Sequence, residues 1–404
     1  MFLFTHINTN ETEMSEYSYK NITEQLFFAL LRSAIRGIRL TENEINHYSD
    51  DVLQDLLKMS SKHSIANLIV LGLRDNKLID RNSAETQRYI LKTAYRYEYM
   101  QNEYKNLCDV LEKAQIPFVP LKGSIIRQYY PEAWMRTSCD IDILIHEEDI
   151  EKAKALLVNE HGYTDHGKGS HDVSLYSPRG FHIELHYSLI EEGRANESAV
   201  VLENVWNMVT VRHGWEYFYE MPDDLFYFYH IAHMVKHFEN GGCGIRPFID
   251  LWILDHIDSA DTNKRDSLLN DGKLLTFANV ARRLSRIWLE NAEHDNVTLQ
   301  MEEYILRGGV YGNNTNRIMV QQQKKGGRIK YALSKIFIPY DVIKFHYPIL
   351  QKHRWLTPFM EVRRWCKLIF CGHLKRTTKE LKYNSSVSND EATNVQKFLS
   401  DIGL

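Results

Sequence analysis

Two short stretches hold the residues with the clearest chemical potential: Cys139-Asp-Ile-Asp-Ile-Leu-Ile145 and Phe181-His-Ile-Glu-Leu-His-Tyr187. In the first, Ile141, Ile143 and Ile145 alternate with Asp140 and Asp142. In the second, Phe181, Ile183, Leu185 and Tyr187 take one face while His182, Glu184 and His186 take the other. A period of two is the mark of a half-buried strand. Alternation places Asp140 and Asp142 on one face with Cα atoms roughly 7 Å apart, close enough for both to ligate a divalent metal. Mg²⁺, or Mn²⁺ in its place, takes oxygen ligands and leaves coordination positions for substrate phosphates, so such a pair suits a nucleoside triphosphate. Glu184 is the best third ligand, its other reading being a surface residue on a half-wet strand.

A phosphate cradle lies upstream. Phe118-Val-Pro-Leu reads as a short strand, Lys122-Gly123-Ser124 as the turn after it, and Ile125 to Tyr130 as a helix stopped by Pro131. Gly123 lets the backbone approach a polyphosphate, and the N–H groups of Gly123 and Ser124, near a helix N-terminus, can donate to its oxygens. Lys122 and Arg136 each have two readings, a phosphate contact or a structural ion pair that locks an acidic cluster together.

In that order, Leu121-Lys-Gly-Ser, Arg136-x-x-x-Asp140-Ile-Asp142-Ile-Leu-Ile and His182-Ile-Glu184-Leu-His186 resemble the nucleotidyltransferase superfamily of the DNA polymerase β type. They are most similar to its bacterial branch usually called uncharacterised nucleotidyltransferases. The resemblance runs over roughly residues 115–258. It implies a two-metal site transferring an NMP from an NTP, with Asp140, Asp142 and Glu184 on the metal and Gly123 and Ser124 on the triphosphate. It also implies that Glu184 helps to activate the acceptor. Many active superfamily members have a small or apolar residue before the glycine, where this chain has Lys122.

Other motifs are less specific. His230, His233 and His237 share one helical face at i, i+3 and i+7, a spacing open to a metal, a nucleotide or a hydrogen-bonded structural face. Arg246 and Asp250, one turn apart, can pair with each other or free Arg246 for phosphate. Lys324-Lys-Gly-Gly lacks the spacing of a P-loop, Gly167-Lys-Gly169 lacks a dinucleotide-binding context, and no G-x-S-x-G elbow occurs.

The elements that must carry these residues follow from the pattern. Apolar residues at helical spacing fill Thr23 to Ala114, with breaks near Thr41 and Asp75 and a long helix over Ala84 to Lys113. A compact α/β block follows, with a helix over Glu148 to Glu160 and strands at Asp172 to Tyr176 and Phe181 to Tyr187. Beyond it come a strand at Glu216 to Glu220 and helices over Leu225 to Asn240, Ile245 to Ile257 and Leu274 to Glu290. The 404 residues contain only 20 Gly and 9 Pro, which favours long helices. The expected fold is α+β: a helical N-terminal region (1–114), a nucleotidyltransferase core with a small mixed sheet (115–215), a helical region completing the fold (216–323), and a basic, aromatic-rich tail (324–404).

Charge is distributed unevenly. Between Lys324 and Lys382 stand fifteen Lys or Arg against Asp341, Glu361 and Glu380, a balance of +12 that leaves −16 for the rest of a chain of formal charge −4. Basic residues interleave with aromatics at Phe345-His-Tyr-Pro and from Trp355 to Phe370. That composition suits a solvated helix on the acidic body, an anionic membrane surface or acidic partner, or nucleic acid, the membrane or acidic partner being favoured. Five scattered cysteines, no apolar run of spanning length and an opening Met-Phe-Leu-Phe without a basic n-region point to the cytoplasm, peripheral attachment to the membrane's inner face being open. The functional expectation is an NTP-dependent nucleotidyltransferase with an unidentified hydroxyl or phosphate acceptor. Its alternatives are a catalytically silent nucleotide-binding or assembly module and a toxin-type enzyme acting on tRNA or protein.

Overall fold

Side-chain caps divide the N-terminal region into helices, and the expected break at Thr41 is one of them. Helix α1 (Thr9–Arg36) is followed by α2 (Glu42–Asn46), where the Thr41 hydroxyl accepts from the Glu44 N–H and the Glu44 carboxylate accepts from the Thr41 N–H. Ser49 caps α3 (Asp50–Lys62), α4 (Ala66–Asp75) ends at the second expected break, and Ser83 caps α5 (Ala84–Lys113). Each cap contributes about 1 kcal/mol. Helices α1 and α4 cross at Gly72, where a Cβ would lie 2.5 Å from the Leu30 carbonyl oxygen. The computed structural model describes residues 9–190, 197–310, 312–338, 340, 343–344, 347–370 and 389–404. The opening residues 1–8, Asp341, Phe345-His346, Cys371 and the basic stretch 375–382 lie outside the described residues.

The sheet begins at β1 (Phe118–Pro120), which leads through the short α6 (Gly123–Ile126) to β2 (Asp140–Ile145). Helix α7 (Ile150–His161) follows, closed by Gly162 at φ 71°, and then come β3 (Thr164–Lys168), β4 (Asp172–Tyr176) and β5 (His182–His186). The five strands lie in the order β1-β2-β5-β4-β3, and only β2 and β5 run parallel. A parallel pair needs a crossover, which α7, β3 and β4 provide. One face of this sheet is the core: Ile141, Ile143, Ile183, Leu185, Val173 and Leu175 pack with Leu107 and Leu111 of α5 and with Ala153 and Leu157 of α7. The alternate residues, Asp142 and Glu184 among them, therefore face away from both helices.

Three boundaries differ from the sequence reading. The helix expected from Ile125 to Tyr130 is a single α-turn, α6, followed by a 3₁₀ turn at Arg127–Tyr129. Strand β3 carries no alternating pattern, because all five of its residues are exposed. Of the strand expected at Glu216 to Glu220, β7 (Tyr219–Glu220) pairs with β6 (Thr210–Val211), and Phe218 forms a single parallel bridge with Phe118 of β1. The Glu112 carboxylate accepts the Glu216 and Tyr217 N–H groups at 2.7 and 3.0 Å, taking those donors away from a ladder.

Helix α8 (Glu197–Glu203) precedes β6, and after β7 come α9 (Asp223–Phe238), α10 (Arg246–Asp255), α11 (Thr262–Asp271) and α12 (Leu275–Glu290). Helix α12 is anchored by Trp288, whose ring stacks on Phe28 of α1 and meets Phe248 of α10 edge-on. The chain divides into two compact units, one of Met1–His233 with Ile245–Thr298, the other of Met234–Gly244 with Leu299–Leu404. Besides the rest of α13 (Asn296–Arg307), the second unit contains α14 (Asn314–Lys324), α15 (Arg328–Ile336), α16 (Ile349–Lys352), α17 (Thr357–Phe370) and α18 (Asn389–Asp401). Its core gathers Ile318, Met319, Tyr331 and Ala392. Among the described residues no helix is long and apolar enough to cross a membrane.

Candidate functional site

Parallel register between β2 and β5 assembles the site. Asp142 stands opposite Glu184, Asp140 opposite His182, and Leu144 opposite His186. The His186 Nε2 lies 3.1 Å from Asp142 Oδ1 and 3.2 Å from Glu184 Oε2. Asp142, Glu184 and His186 thus offer three ligand atoms all within 4.8 Å of one another. Two carboxylates and an imidazole at that spacing fit a divalent cation. Asp140 shares the strand face and is half-buried, but it is not one of this group of three.

The Lys122 turn is fastened to the same strand. The Leu121 N–H donates to the Asp142 carbonyl at 3.0 Å, and Lys122 itself adopts φ 42° and ψ −115°. That conformation is rare for a residue with a Cβ and costs roughly 1–3 kcal/mol, strain of a kind that clusters at functional sites. The Lys122 Nζ sits 3.4 Å from Asp142 Oδ1, so in this state the lysine pairs with an acid. Gly123 has a steric reason to be glycine that the sequence did not show: a Cβ there would collide with the Arg136 guanidinium. The Ser124 N–H, expected to face phosphate, donates to the Leu121 carbonyl at 3.2 Å.

Arg136 is held from the opposite side. Its Nε and Nη2 donate to the two oxygens of Asp250 at 3.1 and 2.9 Å, and the Tyr130 hydroxyl donates to the same carboxylate at 2.6 Å. Asp250 therefore pairs with Arg136, and Arg246, its neighbour one turn away, donates instead to the Thr137 carbonyl. Arg127 completes the support, with its Nε donating to the Gly123 carbonyl at 2.6 Å and its Nη2 to Ser138 Oγ at 2.8 Å. The histidine face does not gather in the same way. His230 Nε2 bonds to the Pro247 carbonyl at 2.9 Å, and burial pushes its pKa down, whereas His237 belongs to the second unit.

Electrostatics separates the two aspartates. Burial alone would raise the Asp142 carboxyl, but Lys122 and His186 outweigh it and hold Asp142 well below the usual carboxylate range. Burial and the Asp142 charge push Asp140 up. The Lys122 ammonium is raised, its desolvation being overcome by Asp142 with help from Tyr229, Asp140 and Glu184. His186 is likewise raised, because its bonds to Asp142 and Glu184 outweigh burial. Burial and the neighbouring Arg136 lower Arg127 to about 10. A cluster of acids is thus balanced by a lysine and an imidazole, and an incoming cation would take over the carboxylates from Lys122 and replace the proton that His186 shares with them.

The sequence-expected residues Lys122, Asp142 and Glu184 meet around one point, with Asp140 beside them and Gly123 in contact with Arg136. Arg127, Tyr130 and the role of Asp250 were missed, since each acts through a contact between distant segments. His186 was visible as a same-face neighbour of Glu184, and two polar residues on one strand face were the signal for it.

The family described as uncharacterised nucleotidyltransferase matches residues 50–290, more than half of the chain. The chain belongs to that family, and the matched span contains every residue of the site just described. No curated protein and no solved structure matches the chain.

Proposed function

We propose that this protein transfers an NMP from an NTP to a hydroxyl or phosphate acceptor in the cytoplasm. The observation that carries the reading is the Asp142–Glu184 opposition in β2 and β5, with His186 between the two carboxylates. Asp142, Glu184 and His186 would hold a divalent ion, Mg²⁺ or Mn²⁺, and Asp140 extends the set toward a second. When bound, such an ion neutralises the triphosphate and polarises the phosphorus under attack.

The chain's own residues do the rest. Lys122 exchanges Asp142 for a phosphate oxygen as the nucleotide enters. The Gly123-Ser124 turn orients the triphosphate, and Arg136, fixed at two of its nitrogens by Asp250, presents the third beside Gly123. Glu184, a quarter exposed where Asp142 is buried, is the carboxylate an acceptor can reach and is assigned to take its proton.

The test is calorimetric binding of each NTP with and without Mg²⁺ or Mn²⁺, alongside Asp142→Asn. Metal-dependent binding lost in the variant is expected. A folded wild type that binds no NTP, or a variant that binds as well, would refute the site. Pyrophosphate release that survives Asp140→Ala with Asp142→Ala would refute the chemistry, and metal-dependent binding with no turnover on any acceptor would favour the silent module.

A further inference from the structure

In the second unit, α15 and α17 turn large apolar side chains outward. Tyr331 points from α15 into the core with Ile318 and Met319. By contrast, Ile329 and Leu333 of α15 and Phe337 at its C-cap, spaced four apart, are 76%, 48% and 61% exposed. On α17, Phe359 and Val362 are each 64% exposed, and Trp355 just ahead of it is 69% exposed. Ring contacts join these into one surface, Phe337 lying 6.0 Å from Trp365 and Trp355 lying 6.4 Å from Phe359.

Basic residues border that surface on one side. At roughly 100° per residue, Trp365, Val362, Cys366 and Phe359 sweep one continuous arc of α17, and Arg363 and Lys367 come next around the helix. Lys330 stands beside Ile329, and Lys352 and Arg354 precede Trp355, all of them exposed. The acid of α17 is already engaged: Glu361 accepts the Ile338 N–H at 2.8 Å and the Trp365 indole N–H at 3.3 Å, and pairs with Arg364 at 2.8 Å.

We propose that this face docks on an anionic lipid surface. Exposed rings and aliphatic chains enter the boundary between headgroups and acyl chains, and the lysines and arginines beside them meet lipid phosphates. An apolar patch of this kind marks an interaction site, and two features of the patch choose the partner. A second copy would set the same basic fringe against itself. Nucleic acid stacks on rings and pairs with cations, but it has no use for the outward Ile329, Leu333 and Val362. A lipid boundary uses the rings, the aliphatic chains and the charges together.

The test is co-sedimentation of the full chain with vesicles of phosphatidylcholine alone or with one third phosphatidylglycerol, at several salt concentrations. Pelleting with the anionic vesicles only, weakening as salt rises, is expected. Arg363→Gln with Lys367→Gln should weaken it about 25-fold, two charges at about fivefold each. Trp355→Ser with Phe359→Ser, exposed positions whose replacement leaves the core intact, should abolish it with an unchanged circular dichroism spectrum. A chain that stays in the supernatant, or binds irrespective of lipid charge, overturns the proposal. So does a dimer, seen by light scattering, that the Trp355/Phe359 change dissolves, or RNA oligonucleotide binding lost in the Gln pair while vesicles are ignored.

Discussion

Arg136 and Asp250 form the pair on which the cradle depends, and removing one partner should expose that dependence. Asp250 is 2% exposed and receives three hydrogen bonds, two from Arg136 and one from Tyr130. Each bond to a charged group has a net worth of about 1.5–3 kcal/mol. Breaking a buried pair from one side costs about 3–5 kcal/mol, because the remaining charge stays buried without compensation. Asp250→Asn keeps the shape but sets an amide donor against the guanidinium donors, and Arg136→Gln strands the carboxylate. Each should cost about 3–5 kcal/mol in urea denaturation, a large fraction of the roughly 5–15 kcal/mol that holds a domain folded. The double change should cost less than the sum of the singles by about 2–3 kcal/mol. In calorimetry, Arg136→Gln should weaken NTP binding whether Asp or Asn occupies 250, because Arg136 is the group beside Gly123. Single changes of under about 1 kcal/mol, or additivity within about 0.5 kcal/mol, would refute the reasoning.

Three further outcomes are expected. Gly123→Ala must move a guanidinium that Asp250 fixes, so it should destabilise by about 1–3 kcal/mol and weaken NTP binding, read by denaturation and calorimetry together. His186→Ala removes one of three grouped ligands and should lower Mn²⁺ affinity about 10–100-fold, measured by titration of the metal alone. The third concerns His63, which is fully buried with neither ring nitrogen hydrogen-bonded among the described residues and whose pKa burial lowers to about 4. An imidazole depressed from its ordinary pKa of about 6.5 is neutral in the folded state while the unfolded chain takes up a proton, so stability is full above pH 6.5 and falls as the pH drops toward 4. The loss is about 2 kcal/mol at pH 5, and His63→Leu should remove this share of the slope in denaturation curves at pH 7 and pH 5.

Local patterns were legible, and contacts made across the chain were not. The strict alternation of Ile141, Ile143 and Ile145 with Asp140 and Asp142 revealed both β2 and its polar face, because a strand's period is written into consecutive residues. Helix α5 was readable for the same reason at period 3.6. Strand β3 was not, since it is exposed on both faces and bears no pattern. The i, i+4 spacing of Arg246 and Asp250 suggested a local pair. Asp250 instead pairs with Arg136, 114 residues away, a choice made by packing that no spacing records. Lys122 offered two partners in the sequence, and only the β1–β2 register, which sets Pro120 opposite Ile143, brings its turn over Asp142.

The 114-residue separation of Arg136 from its carboxylate also sets a timetable for synthesis. A ribosome adding roughly 5–20 residues per second produces Asp250 about ten seconds after Arg136. Lys122 and Asp142 are made close together, and Glu184 and His186 follow while α10 is still untranslated. Through that interval the acidic half of the site can assemble, while the guanidinium destined for the space beside Gly123 has no anchor. The nascent chain thus gains its candidate metal ligands before its fixed arginine, and α10 is the segment whose emergence ends the wait.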